Sequence, residues 1–145
     1  CEEAGMEFQD VVKEVDRYIE TQHTFFVLET LDTLRKNGRL SNLKALVAGA
    51  LNIKPVMGAD NGTIIKLDQA RGIQKALQRM AEIAVKEAGT TKDKRLVIAH
   101  CNAPERAQFM KEKLCSMAEF KEVVITDTCG VSTVYASDGG VILAL

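Results

Sequence analysis

The chain has 145 residues and a mass of 15.9 kDa, enough for one domain that buries its own core without disulfides or a structural metal. Nineteen basic and twenty acidic side chains give a net charge of −1, so no bulk field draws nucleic acid or an anionic membrane surface. A composition of 46% hydrophobic and 27% charged residues excludes a disordered or low-complexity chain. The apolar runs are far too short to span a bilayer, and the acidic start Cys1-Glu2-Glu3 has no signal-peptide core. Cys1, Cys101, Cys115 and Cys129, with only His23 and His100, never take zinc-ligand spacing. Scattered thiols without a secretion signal predict a reduced, cytoplasmic protein with no metal or cofactor. Position 1 is not Met, which suggests a piece of a longer chain.

Phe8, Val11, Val12, Val15 and Ile19 recur at helical spacing and predict an amphipathic helix over about 7–21. His23 to Leu28 is aromatic and β-branched and reads as a strand. A short helix over 31–36 should stop at Asn37-Gly38, which suits a left-handed ending, with Arg39 in the turn. Ser41 is placed to cap a helix carrying Leu43, Leu46, Val47, Ala50 and Leu51. Two β-type runs, 53–58 and 63–67, flank Asn61-Gly62 and predict a hairpin. Pro55 puts its strand at an edge or breaks the ladder there. A long helix over 72–88 carries Ile73, Ala76, Leu77, Met80, Ala84 and Ala88 and stops at Gly89. Arg95 to His100 is a buried strand. Asn102 is expected to cap the next helix, with Pro104 in its first turn and Ala107, Met110, Leu114 and Met117 as core. Strands over 122–126 and 141–145 bracket a hydroxyl-rich turn region. The sum is a single α/β (α+β) domain, a mixed sheet of about five or six strands packed with four or five helices.

Three features stand out chemically. Gly38-Arg39 offers a permanent forked cation on a turn. Arg71-Gly72 places another where a strand meets a helix N-terminus. Ser132, Thr133, Tyr135 and Ser137 lie among glycines and offer hydroxyl and N–H donors. None includes a convincing general base, so binding is favoured over catalysis. His100 and Cys101 are adjacent on an extended chain and point to opposite faces, which argues against a nucleophile–base pair. Two other readings stay open: an acyl-transfer enzyme dependent on Cys101, and a regulatory or oligomerising module.

Leu31-Asp32-Thr33-Leu34-Arg35-Lys36-Asn37-Gly38-Arg39-Leu40, Leu51-Asn52-Ile53-Lys54-Pro55-Val56, Gly62-Thr63-Ile64 and Ala70-Arg71-Gly72, with Val97-Ile98-Ala99-His100 and the tail Asp138 to Leu145, resemble the C-terminal half of the DegV family of bacterial fatty-acid-binding proteins. The likeness spans nearly the whole chain. It implies residues 1–145 as a lipid-tail-binding domain, with 1–22 an inter-domain helix and the parent's N-terminal domain preceding Cys1. It implies a long-chain fatty acid in an apolar tunnel and a carboxylate near the domain boundary. It further implies a carrier that, as in some members, presents that carboxylate to a fatty acid kinase for phospholipid synthesis and is not itself the phosphotransferase. Arg39, Thr133, Tyr135 and Ser137 then fall to the head group, and Arg71 to the kinase-facing edge. Tyr135 stands where many members have a histidine, and gives a neutral hydroxyl donor in place of a cation. The tail candidates are Phe26, Leu28, Leu43, Leu46, Val47, Ile53 and Ile142, drawn from an inventory that also holds Phe25, Val27, Leu51, Leu77 and Met80. The tunnel is expected between the sheet and the helix at 41–51.

Overall fold

Helix α1 (Phe8–Thr21) obeys the predicted apolar spacing yet buries no residue. Phe8 is 78% exposed, Tyr18 64% and Ile19 60%. Periodicity tells which face of a helix is apolar; it does not tell whether the same chain supplies a cover. The structure is a computed structural model that describes residues 5–40 and 52–145. The predicted helix at 41–51, with Ser41, Leu43, Leu46, Val47 and Leu51, lies outside those residues, as does Cys1.

Strand β1 (Thr24–Val27) leads to helix α2 (Asp32–Lys36). Gly38, at φ 69°, donates to the Arg35 carbonyl at 3.1 Å, and the Arg39 amide donates to Leu34 at 2.9 Å. This is the paired bonding that closes a helix through a left-handed glycine. The next pair, β2 (Ile53–Asp60) and β3 (Thr63–Arg71), turns at Asn61 and Gly62, whose φ values are 45° and 77°, the backbone a two-residue hairpin needs. Pro55 pairs with Gln69 on β3, past the point where β1 meets β2 at Phe25↔Gly58 and Phe26↔Met57. Its strand is interior in the sheet but locally an edge, so no β1 ladder bond is lost.

Gly72 (φ 85°) opens helix α3 (Ile73–Ala88) and Gly89 (φ 63°) closes it. Ala76, Leu77, Met80, Ala81 and Ala84 are fully buried, and the small alanines let the helix press close on the sheet. Strand β4 (Arg95–His100) has the predicted bounds. Helix α4 (Pro104–Met117) takes Pro104 in its first turn and buries Ala107, Met110 and Leu114. Met117, expected in the core, is 37% exposed, because the helix ends there. Asn102 is not the cap; that place falls to Ala103, and the Asn102 amide donates to Asp138 at 2.8 Å.

Strand β5 (Glu122–Asp127) runs parallel to β4 along its length. The hydroxyl-rich stretch expected as a turn is a helix, α5 (Gly130–Ala136), followed by strand β6 (Val141–Ala144). The strand order is β3-β2-β1-β6-β4-β5, antiparallel at every step except β4–β5. One mixed α/β domain with a six-stranded sheet results, as predicted, with five helices among the described residues.

The sheet has two unlike faces. Phe25, Val27, Val56, Leu96, Ile98, Val141 and Leu143 close against α3 and α4 in the main core. The opposite face carries a smaller cluster of Leu28, Leu34, Leu40, Met57, Cys101 and Ala136, bordered by half-buried Phe26, Ile64, Tyr135 and Ile142. Strand alternation divides neighbours between the two: Phe25 goes to the core and Phe26 to the open face.

Candidate functional site

The open face holds a groove of about 670 Å³, within the ordinary range of about 300–1,000 Å³ for small-molecule sites. Its floor is Phe26 on β1 and Ile142 on β6, which are register partners. Leu28 and Leu34 form one wall, with Gly38 and Arg39 from the turn that closes α2. Val131, Tyr135 and Ala136 of α5 form the other, and Gly62, Thr63 and Ile64 of the hairpin complete the lining. The surface is an apolar trough with a cation, a hydroxyl and a phenol along it. Such a site buries a hydrocarbon and orients one polar end.

Five expected site residues therefore meet in one place: Phe26, Leu28 and Ile142 with Arg39 and Tyr135. Arg39 is exposed and makes no ion pair among the described residues. Thr133 and Ser137 are not in the lining. The Thr133 hydroxyl donates to Thr128 at 3.0 Å, and Ser137 ends α5 at φ 57°. Once the stretch is helical its hydroxyls fan to different sides instead of converging. Ile53 lines a smaller cavity with Lys54, Pro55 and Asp32. Arg71 is exposed at the far end of β3, the register partner of Ile53, and does not reach the groove. Phe25, Val27, Leu77 and Met80 belong to the core on the other face and are not in the groove lining among the described residues. Leu34, Thr63, Ile64, Val131 and Ala136 were missed. All but Thr63 are apolar, and apolar character alone did not reveal which face each served.

His100 and Cys101 do not pair. The Ala103 amide donates to His100 Nδ1 at 3.3 Å, and Asp127 Oδ1 lies 3.4 Å from the same nitrogen. Cys101 is buried in the small cluster under the groove. Its amide donates to the Gly140 carbonyl, and its carbonyl accepts from Gly139.

A charged cluster sits beside the groove, where Glu29 and Lys54 line the smaller cavity that shares Leu28 with it. Arg106, at the start of α4, donates to Glu29 at 2.5 Å and to the Gly139 carbonyl at 2.6 Å. Lys54 lies 2.7 Å from the other Glu29 oxygen and also donates to the Glu29 carbonyl. Burial alone would push the Glu29 carboxyl up, but the hydrogen bonds from Lys54 and Arg106 outweigh it and hold the group below its ordinary 4.5. A depressed carboxyl contributes stability that is fully present above the unfolded value of 4.5 and is lost as pH falls through the folded value. Thermal melts from pH 7 to 3 should therefore show the wild type losing stability below about pH 4.5. Glu29→Gln should be less stable at pH 7 and lose less on that acid limb. Parallel curves for the two proteins would remove this role.

A family profile described as "Uncharacterised protein, DegV family" matches residues 2–144. A DegV domain-containing protein of Streptococcus pyogenes serotype M3 is 36% identical over 140 residues, which is 96% of this chain and 49% of that protein. The crystal structure of a DegV family protein from Ruminococcus gnavus with vaccenic acid superposes with a TM-score of 0.95 at 53% identity, covering 100% of this chain and 52% of that one. The Streptococcus pneumoniae Fatty Acid Kinase (Fak) B3 protein loaded with linoleic acid superposes with a TM-score of 0.83 at 34% identity, over 97% of this chain and 50% of that one. The chain thus spans about half the length of the relatives it matches.

Proposed function

The chain belongs to the DegV family, and we propose that it holds the acyl tail of a long-chain fatty acid as one half of a bacterial, cytoplasmic lipid carrier. The observation that carries this reading is the groove itself, with an apolar floor and walls and with Arg39, Thr63 and Tyr135 among its lining. Each methylene buried there contributes roughly 0.8 kcal/mol, so the tail supplies most of the affinity. The polar groups need only orient the carboxylate, and a guanidinium with a phenol hydroxyl is sufficient for that. Relatives whose crystals contain vaccenic and linoleic acid support the ligand class.

The remainder of the carrier is a second domain outside this chain, N-terminal to it, which completes the carboxylate site. Half-length coverage of the relatives supports this. So does the uncovered apolar stripe of α1, with Phe8, Tyr18 and Ile19 in solvent; stripes of that kind mark surfaces that meet another protein part. We read the chain as a carrier without catalytic activity of its own; among the described residues, the groove lining holds no carboxylate, histidine or lysine. Among the described residues no helix is long and apolar enough to cross a membrane.

Organic extraction and mass spectrometry of the longer protein, purified from bacteria, test the reading. A stoichiometric long-chain fatty acid is expected, with less retained by residues 1–145 alone. A longer protein that comes out empty and takes up no added fatty acid would overturn it. Equal retention by the two would remove the second domain's share of the site.

Arg71 is placed outside the groove and serves as a contact for a kinase partner that phosphorylates the presented carboxylate. Arg71→Ala is expected to leave lipid retention unchanged and to slow kinase-dependent acyl phosphate formation about tenfold, the scale of one charge-assisted contact. Equal turnover of variant and wild type in a coupled kinase assay would remove that role.

A further inference from the structure

We propose that Glu29, Lys54 and Arg106 form a latch that ties the two walls of the groove together and sets how slowly a bound lipid leaves. The proposal rests on the lipid reading above. The two walls come from segments about a hundred residues apart, and neither lies in a long element. Leu28 and Leu34 of one wall flank Glu29 in sequence; Gly139 follows shortly after Tyr135 and Ala136 of the other and precedes Ile142 of the floor. The Arg106 guanidinium donates to both, with one nitrogen on the Glu29 carboxylate at 2.5 Å and another on the Gly139 carbonyl at 2.6 Å. Lys54 fixes Glu29 a second time, through both its carboxylate and its carbonyl, each at 2.7 Å.

Arg106 is well placed for this. It opens α4, which packs on the opposite face of the sheet in the main core. Its side chain reaches round the end of the sheet and anchors both walls to the rigid side of the domain. The three side chains are only 17–33% exposed. Partly buried ion clusters are poor sources of net stability compared with apolar packing of the same volume, whereas they do fix geometry. The fork of arginine is needed, because a lysine ammonium is a point charge that does not span two planar acceptors in this way. Gly139 sits at φ 82°, and a Cβ there would come within 2.5 Å of Arg106 Nη1 and 2.9 Å of Glu29 Cγ. The glycine therefore leaves the space that the latch fills. Separating the walls requires breaking the Arg106 bonds, and release of a tail lying between them goes through that step.

The test uses the longer protein loaded with cis-parinaric acid, a fluorescent polyene fatty acid, and follows its release into excess phospholipid vesicles. Arg106→Lys and Glu29→Gln are compared with Leu77→Ala, which opens a cavity in the core of the other face. Release from both latch variants is expected to be about tenfold faster at unchanged stoichiometry, since interface changes act mainly on off-rates. Leu77→Ala should lower the melting temperature at least as far and leave release within about twofold of wild type. In ligand-free protein, amide exchange over 28–36 and 136–142 should quicken together in Arg106→Lys. Unchanged release from the latch variants, or equal acceleration by Leu77→Ala, overturns the latch. A wild-type protein that takes up no probe overturns the lipid reading and the release role with it. In that case the exchange data still decide the coupling of the walls: it is retained if both segments quicken and lost if one or neither does.

Discussion

Replacing Ile142 with tryptophan is expected to empty the groove of ligand while the fold stays intact. Ile142 lies on β6 between Phe26 of β1 and Ala99 of β4, half-buried, with its side chain in the floor. The added ring has open space to enter, so it displaces ligand before it displaces protein. Taking the room of about four methylenes removes roughly 3 kcal/mol of binding, more than a hundredfold in Kd. The melting temperature should stay within a few degrees, because β6 keeps its ladders with β1 and β4. Extraction of the purified longer protein and a titration with cis-parinaric acid read the effect. Undiminished uptake by a folded variant would show that the acyl tail lies elsewhere. Arg39→Gln is the contrasting change: it leaves the apolar volume alone and should weaken binding less, while blurring the position of the carboxylate.

What the sequence could disclose follows the range of the interaction. Elements governed by neighbours in the chain are legible. Asn61-Gly62 needs only its own left-handed backbone to announce the hairpin, and Gly38 announces the end of α2 in the same way. That local rule is also what delivers Arg39 to the groove. Strand β4 is readable to the residue because it is a dense apolar run bounded by charges. Helix α5 was not readable. Val131, Ser132, Thr133 and Val134 are poor helix formers, and Ala136 is buried in a cluster whose members, Leu28 and Leu34 among them, are distant in the chain. Missing the helix meant grouping Thr133 and Ser137 with Tyr135, when only Tyr135 faces the groove. The Glu29–Lys54–Arg106 cluster was silent for a related reason: its members are 25 and 77 residues apart and look like ordinary surface charges in sequence. Patterning recovers faces and ends; it does not recover which distant faces meet.

The tail Asp138-Gly139-Gly140 illustrates a sequence signal whose cause appears only in three dimensions, and Gly140→Ala should be the most destabilising of the small substitutions considered. A Cβ at Gly140 would run into the Ala136 carbonyl oxygen and stand 3.0 Å from Leu28 Cδ2. The first of these is backbone and has no rotamer to retreat into. It can yield only if the end of α5 lifts away from β6, yet Gly140 is also bound there: its amide donates to Ser137 and its carbonyl accepts from Cys101. Overpacking against a fixed neighbour costs about 3 kcal/mol, and for a domain of this size that corresponds to a fall in melting temperature of roughly 6–12 °C. Gly62→Ala calibrates the comparison. Gly62 has φ 77° but nothing within 4 Å of its absent Cβ, so that variant carries backbone strain alone, about 1 kcal/mol. Gly139→Ala falls between, combining φ 82° with a contact on a guanidinium that could swing aside only by releasing Glu29. The expected order of melting temperatures is therefore wild type, Gly62→Ala, Gly139→Ala, Gly140→Ala. Because Ala136 lines the groove, the same lift of α5 should quicken lipid loss from Gly140→Ala in proportion to its destabilisation. A Gly140→Ala protein that melts within about 2 °C of wild type would mean that α5 rides on β6 more loosely than this packing requires.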